Sequence, residues 1–235
     1  MSSQWQYLLK NLGAWHGYFI KLSPQGQELS RQPSCTTLTG LDNNQSIHQT
    51  IQVGDKVREL TYSHLARSTL FLPNGAFSQG STQYTPVGEF GAEFGLIHQA
   101  SGIAQRLRLV LLFQQGKLQE ITLIPEHLAD SESIPPHAID PHAVPTTWQG
   151  ESVTYYSDWR SPTSATISQT YDFKHQGLLL PYRAIALFPE PIPHRSAFSL
   201  SALWFAQPDL LYHLSRHYDQ MGGCTELTLC TLKPC

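Results

Sequence analysis

Charge is scarce in this sequence. Only 14% of its 235 residues are charged, the formal balance is -3, and the pI is near 6.4. Such a chain has no general attraction for phosphate, which speaks against nucleic-acid binding and against an anionic membrane surface as partner. Long apolar runs are missing as well. No stretch approaches ~18 uninterrupted apolar residues, and the opening MSSQWQYLLKNLG lacks a basic flank, an apolar run and a small-residue cleavage site. The expectation is a cytoplasmic protein with no integral membrane segment.

Chemistry-bearing motifs are just as sparse. The four cysteines, Cys35, Cys224, Cys230 and Cys235, have no C-x-x-C spacing, so a zinc site is not indicated. Idle thiols are expected, with a disulfide near the C-terminus as the alternative. There is no G-x-x-x-x-G-K-[ST] phosphate loop, no dinucleotide fingerprint and no G-x-S-x-G serine. Among eleven histidines, His213 and His217 stand four apart but lack the glutamate of an H-E-x-x-H site. Glu89 and Glu93, on a glycine-rich strand, read as barrel-rim charges rather than an acid and a base. No catalytic residue, metal ligand or cofactor is therefore expected.

What the chain does carry is strand pattern. Ten Phe, ten Tyr and five Trp within a 40% apolar composition are ample for a core. Ser2 or Ser3 caps a short helix bearing Trp5, Leu8, Leu9 and Leu12 at three- and four-residue spacings, and Gly13 suits its close. Hairpins follow: SIHQTIQV to KVRELTY across Gly54-Asp55, STLFLP to AFSQG across Asn74-Gly75, and QRLRLVLLF to KLQEITLIP across Gln114-Gln115-Gly116. In the last, Leu107, Leu109, Leu111 and Phe113 share one face while Arg106 and Arg108 share the other; its bulk argues for a filled first barrel. Five prolines between residues 125 and 145 then interrupt the pattern. Beyond them Trp148-Gln149-Gly150 echoes Trp15-His16-Gly17, a weak internal repeat. The expected domains are a barrel over residues 1–126, a proline-rich linker over 127–146, and a smaller barrel over 147–235.

The stretches SQWQYLLKNLGAWHGYFIKLSPQGQEL, LTGLDNNQSIHQTI and, after the linker, TTWQGESVTYYSDW resemble a two-domain calycin family of cyanobacteria and chloroplasts that includes the chloroplast biogenesis factor required for ATP synthase assembly. The resemblance implies an all-β fold of two antiparallel calycin (lipocalin-like) barrels, the short N-terminal helix plugging the first. Trp15 of the G-x-W signature would close the barrel floor beneath Arg106 or Arg108, an arginine stacking well on an indole face. It further implies a non-enzymatic, chaperone-like assembly factor that binds F1 ATP synthase subunits, β or γ. The competing reading of the same fold is a carrier or lyase-type chaperone for an apolar small molecule such as a bilin or fatty acid. RHYD, residues 216 to 219, resembles the arginine and tyrosine that enter fatty-acid-binding calycin cavities. The partner- or ligand-binding surface is expected at Tyr155, Tyr156, Trp159, Arg160 and Arg183, because aromatic rings beside arginine combine large contact area with a directional charged fork.

Overall fold

A computed structural model of the protein describes residues 3–100, 102–158 and 160–235. Helix α1, Ser3–Leu8, runs into one 3-10 turn, Leu9–Asn11; Ser2, one of the two expected caps, lies outside the described residues. Nine strands then build one antiparallel sheet: β1 (Gly13–Leu22), β2 (Glu28–Leu41), β3 (Ser46–Val53), β4 (Lys56–Tyr62), β5 (Thr69–Phe71), β6 (Phe77–Gly80), β7 (Glu89–Ala100), β8 (Ile103–Gln114) and β9 (Lys117–Leu128). Seven more form a second: β10 (Thr147–Tyr156), β11 (Thr163–Thr170), β12 (Leu178–Leu180), β13 (Ala184–Leu187), β14 (Phe198–Gln207), β15 (Leu210–Tyr218) and β16 (Cys224–Pro234). In each sheet the first strand pairs with the last, β1 with β9 and β10 with β16, so each curls into a half-barrel. The fold is almost all β: two curled antiparallel sheets and one short N-terminal helix. That helix stoppers the first half-barrel, Gln4 exchanging side-chain hydrogen bonds with the Phe71 backbone while Trp5 and Leu8 pack with Trp15, Ile47 and Phe77.

The tryptophan echo is structural. Trp15 and Trp148 are both fully buried, and each indole N–H donates to a carbonyl just upstream, of Asn11 and of Pro145, at 2.8 Å. Two residues on, Gly17 and Gly150 have no room for a side chain: a Cβ would run into the carbonyl oxygen of Pro125 or of Thr231 on the neighbouring strand.

Alternation along β8 separates its leucines from its arginines. Leu107, Leu109 and Leu111 pack with Phe94 of β7 and with Leu200, Trp204 and Leu214 of the second sheet in one core shared by the half-barrels. Arg106 and Arg108 face the other way, into the first half-barrel. The bulk of β8 thus fills the joint between the sheets rather than the first interior. A period of two divides a strand into faces but does not say which face is inner.

Pro125 departs from the expected break. β9 runs through it to Leu128, past the residue where the linker was placed, because the β1–β9 ladder has no pairs at Tyr18 and Phe19, where the missing proline N–H would have mattered. Arg216 and Tyr218 depart too. They reach across the joint to the first half-barrel, Arg216 to the Ser68 and Ser81 carbonyls at 3.4 Å and Ser78 Oγ at 3.3 Å, Tyr218 to the Ser81 carbonyl at 3.1 Å. The RHYD segment therefore ties the two sheets together through Arg216 and Tyr218.

Candidate functional site

Inside the first half-barrel lies a cavity of about 610 Å³, within the ~300–1,000 Å³ range of small-molecule sites. Phe19, Leu38, Ile51, Leu60, Phe77 and Val110 give it apolar walls. Polar groups line it from β2 to β8, and three of its four arginine and glutamate side chains, Glu93, Arg106 and Arg108, stand on β7 and β8 over Trp15 and the plugging helix. Arg106 lies over the Trp15 ring with its guanidinium carbon 4.4 Å from the ring centroid, so it is Arg106 that supplies the expected floor contact.

Glu126 of β9 holds this bank together from behind. Its Oε2 accepts from Arg106 Nε at 2.7 Å and Arg108 Nε at 3.0 Å, and its Oε1 from Arg108 Nη2 at 3.0 Å. Arg108 Nη1 donates to Glu93 Oε1 at 3.1 Å, Gln79 donates to Glu93 Oε2, and Arg106 Nη1 donates to Asn11 Oδ1. Arg106 Nη2 is buried with no hydrogen-bond partner among the described residues. Burial pushes the Glu126 carboxyl up, but the two guanidiniums outweigh it and hold the group below its ordinary value. Burial lowers Arg106 despite the pull of Glu126, whereas for Arg108 the two glutamates prevail over burial and raise it. Glu93, expected at the rim, is a member of this bank; Glu89 is exposed.

The second half-barrel provides a comparison within the same chain. Glu126 stands opposite Gly17 and Arg106 opposite Glu126; by the same register Leu232 stands opposite Gly150 and Leu211 opposite Leu232. One pair further along, Arg108 corresponds to His213, which shares hydrogen bonds with Tyr171 at 2.8 Å and Ser215 at 2.9 Å. The interior here is packed with Trp148, Phe173, Phe205, Leu211 and Leu232. One architecture thus closes over leucine in one copy and over an ion network in the other.

Of the residues expected from sequence, Tyr155, Tyr156 and Arg160 come together on one wall of a cleft of about 670 Å³ between the half-barrels. Trp5, Gln45 and His64 form its opposite side. The exposed Arg160 guanidinium sits 3.6 Å from the Tyr156 ring centroid, and Tyr155 meets Tyr7 of the helix edge to face, hydroxyl to hydroxyl at 3.4 Å. His64, Leu65 and Thr69 line both this cleft and the cavity, so the two spaces adjoin. Trp159 lies outside the described residues. Arg183 stands apart from the cleft, at the turn before β13, where its Nε donates to His137.

Glu126 and Arg58 were missed by sequence reasoning. The first sat at the edge of the expected linker, and the second read only as part of a strand. The available signal was the pair Arg106 and Arg108 on one face of an otherwise apolar strand, which demands acidic partners on neighbouring strands.

Residues 1–131 match the N-terminal domain of DUF3598, described as a domain of unknown function. A crystal structure of a DUF3598 protein from Nostoc punctiforme PCC 73102 is similar over 100% of both chains, with 32% identity and a TM-score of 0.89. An S-type phycobiliprotein lyase from Guillardia theta aligns over 98% of this chain and 91% of its own at 10% identity, with a TM-score of 0.20, too low to carry any weight. No curated protein matches. Among the described residues, no helix is long and apolar enough to cross a membrane.

Proposed function

This chain belongs to the DUF3598 family, and for it we propose a non-enzymatic binding protein that takes an apolar small molecule, of the fatty-acid or bilin kind, into the cavity of its first half-barrel. The observation that carries this reading is the buried Arg106–Glu126–Arg108–Glu93 network lining that cavity, at a position where the second half-barrel closes over Leu211 and Leu232. Buried ion pairs are seldom more stabilising than apolar residues of like volume, so stability alone does not account for the network. Fluorescence titration with a polyene fatty acid, and absorbance titration with biliverdin, test it. Saturable binding abolished by a cavity-filling Val110→Trp substitution, in a protein that still melts cooperatively, is expected; no binding by either probe, or binding indifferent to Val110→Trp, refutes it.

A second proposal follows the resemblance: an assembly factor holding F1 ATP synthase β or γ subunits in a cytoplasmic setting. The observation that favours it is the exposed Arg160 guanidinium stacked on Tyr156 at the cleft, the type of rigid aromatic and charged group that protein interfaces use as an anchor. Pulldown with the wild-type chain and with Trp159→Ala/Arg160→Ala tests it: capture of β or γ by the first and at least about tenfold less by the second is expected. Equal capture by both, or recovery of neither subunit, counts against it.

A further inference from the structure

The cavity differs in charge between its bank and its rim. Two arginines and two glutamates make the bank neutral, and all four carboxylate oxygens already accept hydrogen bonds from Arg106, Arg108 or Gln79. A ligand carboxylate pushed against it would bring a third negative group into a buried, balanced set, where an uncompensated charge is expensive. An uncharged hydroxyl, carbonyl or amide faces no such penalty.

The rim is different. Arg58 on β4 lies on the cavity side of the strand with Leu60 and Tyr62, is exposed, and has no hydrogen bond or ion pair among the described residues. Counted with Glu126, the cavity holds three arginines and two glutamates, which leaves one positive charge, and that charge is at the mouth. Ile51 stands between Arg58 and Thr36, the β2 residue that accepts from Arg108, with Leu38, Leu60 and Gln49 beside it.

We propose that the ligand is an amphiphile polar at both ends, held with its single anionic group at Arg58 on the rim and an uncharged hydrogen-bonding group toward the Arg106–Glu126 bank. This rests on the cavity-binding reading above and names its substrate class and polarity of entry. Burying the anionic group instead, head-first against Arg106, is the competing arrangement.

Three probes separate these: palmitate, omega-hydroxypalmitate, and the diol that replaces the carboxylate of the latter by a hydroxyl, each titrated by competition against a fluorescent polyene fatty acid. Omega-hydroxypalmitate is expected to bind about threefold or more tighter than palmitate, one net hydrogen bond at the bank. Arg58→Gln, at an exposed position on an edge strand, is expected to weaken both acids about tenfold, to leave the diol within about twofold, and to remove most of the salt dependence of acid binding. If both acids bind in the cavity, as judged by loss on Val110→Trp, but Arg58→Gln changes neither their affinity nor its salt dependence, the rim assignment is wrong while the binding reading stands. Palmitate binding more tightly than its omega-hydroxy form likewise overturns the polar inner end. If none of the three displaces the fluorescent acid, or that acid itself does not bind, the cavity reading fails and this inference with it.

Discussion

Glu126 and Leu232 occupy equivalent places in the two half-barrels: each stands on the last strand of its sheet, directly opposite the glycine two residues beyond the buried tryptophan. The architecture around them is the same, an indole bonded to an upstream carbonyl and a glycine forced by a neighbouring carbonyl. Leucine at this position is therefore enough to build the fold. Glutamate demands Arg106 and Arg108, and the three together put a charged bank where the second interior is packed with apolar side chains.

Removing one member of that bank should hurt more than removing a pair. Glu126→Gln leaves two buried guanidiniums with one carboxylate between them, and is expected to lower stability by about 3–5 kcal/mol. The double change Arg106→Leu/Glu126→Leu copies the second half-barrel, leaves Arg108 paired with Glu93 alone, and is expected to lie within about 2 kcal/mol of wild type. Urea midpoints of the three proteins decide this; a double variant less stable than Glu126→Gln contradicts the equivalence.

Gly17 and Gly150 should be intolerant to the same degree. An added methyl meets a backbone carbonyl oxygen in both, so Gly17→Ala and Gly150→Ala must each part the first strand from the last. A loss of at least about 2 kcal/mol is expected for each. A melting temperature within a degree or two of wild type in either variant would show that the strands do not approach so closely.

Acid should weaken the second half-barrel before the carboxylates titrate. Burial, helped by nearby His217, pushes the His213 imidazole down to about 4 from an ordinary 6.5. The neutral form is the one the fold holds, so its contribution is complete above pH 6.5 and is lost progressively as the pH falls toward 4. Burial lowers His98 and His217 in the same direction. The urea midpoint is expected to fall across this window and to fall less in His213→Gln, which retains a donor and an acceptor for Tyr171 and Ser215. Identical pH slopes for the two proteins would exclude His213 as the cause.

Arg216 should couple the half-barrels. Arg216→Leu removes the hydrogen bonds that Arg216 gives to the Ser68 and Ser81 carbonyls and Ser78 Oγ across the joint, with an expected cost of about 1–3 kcal/mol. Hydrogen exchange reads the location: β5, β6 and β15 should exchange faster while β2 and β3 keep their protection. Uniform acceleration over the whole chain would instead indicate a general loss of stability.

Much of this fold was legible because short-range rules wrote it. The hairpin expected across Gln114-Gln115-Gly116 is there, though Gln114 pairs with Lys117 and the turn is only Gln115-Gly116, both at positive φ, 52° and 73°; the Trp-x-Gly echo marks both first strands. What local pattern does not contain is the third dimension. The leucines of β8 face the other sheet because a second half-barrel covers them, a fact held by Leu200, Trp204 and Leu214, some ninety residues away or more. Pro125 hides the end of β9, which reads as a strand only as far as KLQEITLIP, and with it Glu126, the residue on which the bank depends. Of the expected surface, Tyr155, Tyr156 and Arg160 meet because strand and following turn are contiguous, whereas Arg183 goes to His137, which no spacing in the sequence foretold.

The central claim, that the first half-barrel is a ligand site and the second a packed repeat of it, is tested most directly by methyl NMR of the assigned protein during addition of omega-hydroxypalmitate. Signals of Ile51, Leu60 and Val110 should move and saturate together, while those of Ile185, Leu203 and Leu232 in the second interior stay in place. Shifts confined to the second set, or no shift in either at saturating ligand, would contradict it.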